Sequence, residues 1–331
     1  MNHPPIRKIS FLSIVIPVYN EEDMLPVLRS ELEAWLSSLP DMETEVILVN
    51  DGSKDSSLPY CLGWANENKR VKVVSLSRNF GHQIAVSAGL DYSEGEAVVV
   101  MDADLQDPLP VIPEMIRRYE EGCDVAYGQR LNRKGESRFK LATAWLFYRL
   151  MRGLVHKDLP LDTGDFRLLS RRCVDALKAM PETHRFLRGI VAWMGFKQAA
   201  VPYERSERAR GTTKYPLGKM ASLAWNAATS FSSFPLRVIN VFGVLFALFG
   251  LGCCVWALSA YFAGETIRGW TSLIGLVSVI GGMLMLAMGV MGEYIGKIYE
   301  EVKKRPLYLV DNLVNFTDSA LTENNNGYPG P

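Results

Sequence analysis

The chain has 331 residues, with 36 basic and 36 acidic side chains and a formal net charge of zero. That balance excludes the broad positive field by which nucleic-acid binders hold phosphate backbones, and the length suits one large α/β domain with something smaller attached. Cys61, Cys123, Cys173, Cys253 and Cys254 have neither metal-type nor framework spacing and read as free thiols.

The first ten residues are polar and basic, and the apolar run Phe11–Val18 is too short for a cleavable signal. It reads instead as a buried strand, ending in Pro17-Val18-Tyr19-Asn20-Glu21-Glu22. A helix through about Leu39 follows, with Leu25, Leu28, Leu32 and Leu36 on one face. A second strand, Glu45–Val49, ends in Asn50-Asp51-Gly52-Ser53, and a third, Val71–Leu76, ends in Ser77-Arg78-Asn79-Phe80-Gly81-His82 before a helix through about Tyr92. The fourth, Val98–Met101, stops abruptly at Asp102-Ala103-Asp104-Leu105-Gln106-Asp107. Four strand-then-helix units predict a mostly parallel sheet with four polar clusters on one edge, where ligands of open α/β sheets bind.

Each cluster has a role in holding a sugar nucleotide. Asp102 and Asp104 alternate along an extended chain and, with Gln106, offer hard oxygen ligands for Mg²⁺ or Mn²⁺, which take one or two carboxylates plus substrate phosphates. An acidic turn is the plainer alternative. Pro17, Tyr19, Asn20 and Glu21 would flank base and ribose, with Asp51 either accepting from a pyrimidine N–H or capping its turn. Arg78 either reaches the diphosphate or forms a surface ion pair, and His82 reads as structural or solvated rather than catalytic.

Further on, Arg138–Leu154 has helical spacing, and Glu204–Lys219 concentrates Arg205, Arg208, Arg210, Lys214 and Lys219 around Gly211-Thr212-Thr213. Such a stretch either grips a phosphate through charge-assisted bonds or lies as a basic stripe on anionic lipid. Met220–Leu236 is amphipathic and suits the membrane interface. Val238–Phe262 and Thr271–Gly296 are each long and apolar enough to span a bilayer. Lys214, Lys219 and Arg237 on one flank, and Lys297, Lys303, Lys304 and Arg305 on the other, place both flanks in the cytoplasm and the loop Ala263–Gly269 outside. The expected plan is therefore a cytoplasmic catalytic domain over 1–213, a juxtamembrane region over 214–237, a two-helix anchor over 238–296 and a cytoplasmic segment over 297–331, disordered from about Thr317. Asn315-Phe316-Thr317 matches a glycosylation sequon that this topology leaves unused. Gly289, Gly292 and Gly296 have the small-residue spacing of packed helices and favour a homo-oligomer.

Ile14-Val15-Ile16-Pro17-Val18-Tyr19-Asn20-Glu21-Glu22, Val49-Asn50-Asp51-Gly52-Ser53-Lys54-Asp55, Ser77-Arg78-Asn79-Phe80-Gly81 and Asp102-Ala103-Asp104-Leu105-Gln106-Asp107-Pro108 together resemble inverting GT-A glycosyltransferases of the dolichol-phosphate mannose synthase branch. Thr163-Gly164-Asp165-Phe166-Arg167, the run Gly292–Tyr299 and the run Glu301–Tyr308 resemble the bacterial membrane-anchored polyprenyl-phosphate glucosyltransferases of the GtrB type. The motifs occur in order over about residues 10–312. Processive polysaccharide synthases share the early motifs but carry a Gln-x-x-Arg-Trp motif, and this chain has no Arg-Trp pair.

The resemblance implies transfer of glucose from UDP-glucose to undecaprenyl phosphate, giving a β-linked lipid-phosphate sugar, by a multi-pass inner-membrane enzyme that assembles as a tetramer. It offers Asp165 as catalytic base, and it has the loop bearing Arg208, Arg210 and Lys214 order over donor and acceptor. Another donor sugar, or a non-catalytic nucleotide-sugar scaffold, is the competing reading. Because a phosphomonoester is already mostly ionised at neutral pH, Asp165 is expected to act at least partly by position.

Overall fold

The computed structural model describes residues 8–39, 42–131, 163–180, 182–183, 185–204, 234–263 and 269–316. The chain divides into two compact units: an α/β unit that includes the residues from Pro306 onward, and a helical unit.

Runs of β-branched and aliphatic residues build the α/β unit. Strands β1 (Phe11–Val18), β2 (Glu43–Asn50), β3 (Val71–Leu76) and β4 (Ala97–Val100) lie where the sequence predicts strands. Helices α1 (Leu25–Ser37), α2 (Ser57–Glu67) and α3 (His82–Asp91) connect them. The sheet continues through β5 (Val125–Arg130), β6 (Thr163–Ser170) and β7 (Gln198–Tyr203), with α4 (Ile112–Glu120) before β5, and α5 (Arg171–Lys178) and α6 (Leu187–Trp193) between β6 and β7. Its order is β7-β5-β6-β4-β1-β2-β3-β8.

Strands β1 to β4 pair in parallel, whereas β6 runs antiparallel to both β4 and β5. Reversal of β6 brings its first residues to the edge where β1 to β4 end. Leu12, Ile14, Ile16, Ile47, Leu48, Val98 and Val99 are fully buried, as strands covered on both faces require. Leu25, Leu28, Leu32 and Leu36 turn the inner face of α1 into the same core. Helix α3 lies unusually close to the sheet, because a Cβ on Gly89 would stand 2.2 Å from Val15 Cγ1.

Strand β8 (Val310–Val314) pairs antiparallel with β3, closing one sheet edge with residues from beyond the long helices. The sequence predicts no strand there. The left-handed Asn315 (φ 65°) follows it; its side-chain amide donates to Ala65 O and Val71 O at 2.6 and 2.7 Å.

Among the described residues, the helical unit comprises α7 (Phe234–Phe262) and α8 (Trp270–Lys303). Both spans expected from the sequence are thus helical where described. Among the described residues, Val279–Lys303 is long and apolar enough to cross a membrane, and Val238–Gly252 is a shorter apolar stretch. Arg138–Leu154, the basic stretch with Arg208, Arg210 and Lys214, most of Met220–Leu236, the loop 264–268 and the tail from Thr317 lie outside the described residues.

Candidate active site

Three loops at the carboxyl ends of β1, β2 and β3 are locked to one another by short polar side chains. Asn20 adopts a left-handed conformation (φ 54°), receives Lys54 N–H on its side-chain oxygen at 2.8 Å and donates its own N–H to Ser53 Oγ at 3.1 Å. Glu21 N–H donates to Ser57 Oγ at 2.8 Å. Asp51 is buried, and its two oxygens accept the backbone N–H groups of Phe80 (2.7 Å) and Gly81 (3.0 Å). The residue expected to meet a pyrimidine therefore also organises the next loop, and each oxygen keeps a second lone pair.

Gly52 is obligatory at this junction. Its φ is +64°, and a Cβ would fall 2.4 Å from Arg78 C and 2.5 Å from Asn79 N. Pro17 is buried inside β1, whereas Tyr19 is exposed. Arg78 stacks its guanidinium 4.0 Å from the Phe80 ring centroid and donates to Asn79 O. No ion pair to Arg78 is present among the described residues.

Beyond β4 the chain turns sharply. Leu105 is left-handed (φ 52°), a strained state for a branched side chain, and Gln106 N–H donates to Asp104 Oδ1 at 3.2 Å. The turn is clamped from behind. Buried Asp107 accepts from Tyr203 OH at the end of β7, and Tyr203 OH in turn accepts from Arg130 Nε at 3.2 Å. Burial and the neighbouring Asp107 push the Tyr203 phenol up to about 12, which keeps it a donor.

Asp165, from the start of β6, faces this turn. Arg188 on α6 grips both its oxygens, at 2.8 and 3.0 Å, and Gln83 Nε2 donates to it at 3.1 Å. His82 Nε2 lies 3.2 Å from Asp165 and 3.7 Å from Asp102, standing between the two carboxylates. Burial opposes the Asp165 charge, but Arg188, the hydrogen bonds from His82 and Arg188, and Arg167 outweigh it and hold the carboxyl well below its usual range. For His82, burial acts against the imidazolium, yet the Asp165 hydrogen bond and the Asp102 and Asp165 charges leave its pKa raised.

Asp102 behaves oppositely. Burial pushes its carboxyl up to about 6; His82 counteracts this, and Asp165, Asp107 and Asp104 add to it. Burial disfavours the Asp102 charge most and three carboxylates add to it, and a cation bound there would relieve both. The set Asp102, Asp104 and Gln106 is all hard oxygen, with positions left over for phosphate oxygens and water, which fits Mg²⁺ or Mn²⁺. Among the described residues no group of three or more His, Cys, Asp or Glu is placed to hold a metal ion by itself, so the fit rests on the chemistry of these three donors.

The structure thus brings Asp102, Asp104, Gln106, Asp165, Asp51 and Arg78 to one edge. It adds His82, Gln83, Arg167 and Arg188, which sequence reasoning did not assign. Their signal was faint: His82-Gln83 directly follows the third polar cluster, but nothing in the sequence points from Arg188 to Asp165.

A family model described as glycosyl transferase family 2 matches residues 13–177. A Bacillus subtilis (strain 168) protein named as an uncharacterized glycosyltransferase, YkcC, is 47% identical over 93% of this chain and 96% of its own. The prophage bactoprenol glucosyl transferase homolog of Escherichia coli (strain K12) is 38% identical over 90% of this chain and 98% of its own. The bactoprenol glucosyl transferase of Shigella phage SfII is also 38% identical, over 90% and 97%. Among solved structures, glucosyl-3-phosphoglycerate synthase from Mycobacterium tuberculosis, in complex with Mn²⁺, UDP and glucosyl-3-phosphoglycerate, superposes with a TM-score of 0.45 at 22% identity, covering 66% of this chain and 78% of that one. A locked triple-loop edge, a carboxylate turn beyond β4 and these full-length relatives lead to one conclusion: the chain belongs to glycosyltransferase family 2 and is a glycosyltransferase.

Proposed function

We propose that this chain transfers glucose from UDP-glucose to a polyprenyl phosphate, undecaprenyl phosphate in bacteria, with inversion at the anomeric carbon. The observation that carries this reading is likeness at 38% identity, over nine-tenths of the chain, to proteins named bactoprenol glucosyl transferases. The helix containing Val279–Lys303 supports an anchored enzyme, because a long-chain lipid phosphate stays in the bilayer and the enzyme must come to its headgroup. We assign two spans, at Val238–Phe262 and Thr271–Gly296, with the catalytic unit and both flanks in the cytoplasm and the protein a homo-oligomer in the inner membrane.

In this reading Pro17, Tyr19, Asn20, Glu21 and Asp51 bound the uridine, and Arg78 faces the diphosphate. Asp102, Asp104 and Gln106 would hold Mg²⁺ or Mn²⁺, which when bound supplies positive charge against the departing diphosphate. An oxygen of the lipid phosphate bonds to the sugar's anomeric carbon while the bond from that carbon to UDP breaks, its electron pair leaving on the diphosphate. Arg208, Arg210 and Lys214 are assigned to the acceptor phosphate. Asp165, held ionised by Arg188, fixes the geometry on the acceptor side and keeps His82 beside Asp102.

The experiment is a donor screen: purified protein in lipid, undecaprenyl phosphate, Mg²⁺, and UDP-glucose, UDP-N-acetylglucosamine, GDP-mannose or a UDP-aminoarabinose donor in turn. Glucosyl-phosphoryl-undecaprenol from UDP-glucose alone supports the proposal. Turnover of a different donor replaces the sugar assignment, and no transfer from any donor refutes the reading.

A further inference from the structure

Ser77 is where β3 ends and the Ser77–Gly81 loop begins. The far side of that loop is held by Asp51, which receives the Phe80 and Gly81 amides. Its near side is held by a segment from the other end of the chain: Ser77 N–H donates to Leu309 O at 2.9 Å. Leu309 belongs to an extended strap, Tyr308–Phe316, whose central part is β8 in register with Val73–Leu76.

Side chains pin both ends of the strap. Tyr308 OH donates to Asp91 Oδ2 at 2.8 Å, at the end of α3. Asn315 donates to Ala65 O and Val71 O and accepts from Lys69 Nζ at 3.1 Å. Phe316 packs against the Tyr92 ring at 5.3 Å, with the Lys72 ammonium 5.2 Å from its own centroid. Along the chain only residues 304–307 separate this strap from the end of α8 at Lys303.

We propose that the strap Tyr308–Phe316 is a positioning element of the nucleotide site, fixing the root of the Ser77–Gly81 loop and through it the placement of Arg78 against a nucleoside diphosphate. This deepens the donor reading above and rests on it. Once the strap is loosened, the loop keeps its Asp51 tether and the β2 pairing at Ser75 but loses the Leu309 bond at Ser77, so nucleotide must order that side of its root on binding. The deficit falls on donor affinity, not on the chemical step, because the turn that carries Asp102 and Asp104 is held at Asp107 by Tyr203 and Arg130, and Asp165 is held by Arg188.

The test uses the full-length protein and the double variant Tyr308→Phe/Asn315→Gly, which removes the two pins while glycine keeps the left-handed backbone at 315. With UDP and Mg²⁺ as the probe, calorimetry should show binding weakened about tenfold, a fraction of what the four lost hydrogen bonds contribute to holding the strap. The KM for the sugar nucleotide should rise by a similar factor, with kcat and the KM for lipid phosphate within about twofold of wild type. A drop in kcat at unchanged KM, or unchanged UDP affinity, overturns the proposal. Should the variant not fold, the wild type still decides by reciprocity of coupled sites: adding UDP must slow hydrogen exchange at the Val310–Val314 amides, and an unchanged rate overturns it. Wild type that binds UDP but transfers no sugar to lipid refutes the parent function and leaves the strap standing. Wild type that binds no UDP removes both.

Discussion

Replacing Asp165 by asparagine separates a positioning carboxylate from a proton acceptor. The side chain keeps its shape but loses the charge that faces Arg188 at 2.8 and 3.0 Å and His82 at 3.2 Å. Breaking a fully buried pair costs about 3–5 kcal/mol. The Arg188 side chain is 29% exposed, and water offsets part of that loss, so Asp165→Asn should lower folding stability by roughly 2–3 kcal/mol. Displacement of Arg188 and His82 should lower kcat by roughly 10²-fold, the scale of a 1 Å misplacement. The assay is transfer to lipid phosphate from pH 6 to 9, wild type against variant. A carboxyl held well below its usual range is a weak proton acceptor, and the acceptor's second ionisation lies near 6, so the deficit should be the same at every pH. Recovery of near-wild-type rates above pH 8 would refute positioning and make Asp165 a base. Stability supplies a second, signed test. The folded pKa is depressed, so Asp165 contributes stability that is present above its unfolded value of about 4 and lost as pH falls through the folded value. The melting-temperature gap between wild type and Asp165→Asn should therefore close in acid, and it should also narrow as pH rises through the raised His82 value, where the imidazolium that Asp165 favours is lost.

Gly52→Ala should destabilise by roughly 1–3 kcal/mol and raise the donor KM, since the new Cβ meets the Arg78–Asn79 backbone at positive φ; a melting curve identical to wild type would contradict that contact. Tyr203→Phe takes a hydroxyl donor from buried Asp107 at a cost of about 1–3 kcal/mol, and should raise the Mg²⁺ concentration giving half-maximal rate; an unchanged metal requirement would show that the clamp does not support the Asp102–Gln106 turn. Asp104→Asn should abolish transfer in a protein that still folds, EDTA should silence the wild type, and Mn²⁺ should restore it, whereas full activity in EDTA defeats the metal assignment. For topology, Thr266→Cys should react with an impermeant thiol reagent on intact cells and Asp311→Cys should not; the reverse pattern defeats the two-span arrangement.

Strands β1 to β4 are legible because each is an unbroken aliphatic run, and a strand buried on both faces needs nothing subtler. Asp102, Asp104 and Gln106 are legible for a related reason: three hard oxygens crowd the first polar residues after such a run. Strand β8 is not legible. Val310-Asp311-Asn312-Leu313-Val314 is short and polar at its centre, and only the exposed backbone of β3 makes a strand of it. Likewise, the sequence gives Asp165 a motif but no partner. Its neighbours come from α3 and from the seven-residue α6, so the pairing is a property of packing and not of spacing. Asp51 invites a ligand role because it ends a strand at the binding edge; the structure shows the same carboxylate also spending hydrogen bonds on two amides of the chain itself.

Without β8, the outer border of β3 would present Val71, Val73 and Val74 on a ladder of unmet amides and carbonyls, the geometry that recruits strands from other molecules. Strand β8 therefore acts as a guard against self-association as well as a strap. Cutting the chain after its long helices, an obvious way to shorten it, would uncover that border. Samples so shortened should scatter light and precipitate on standing even when each α/β unit has folded correctly.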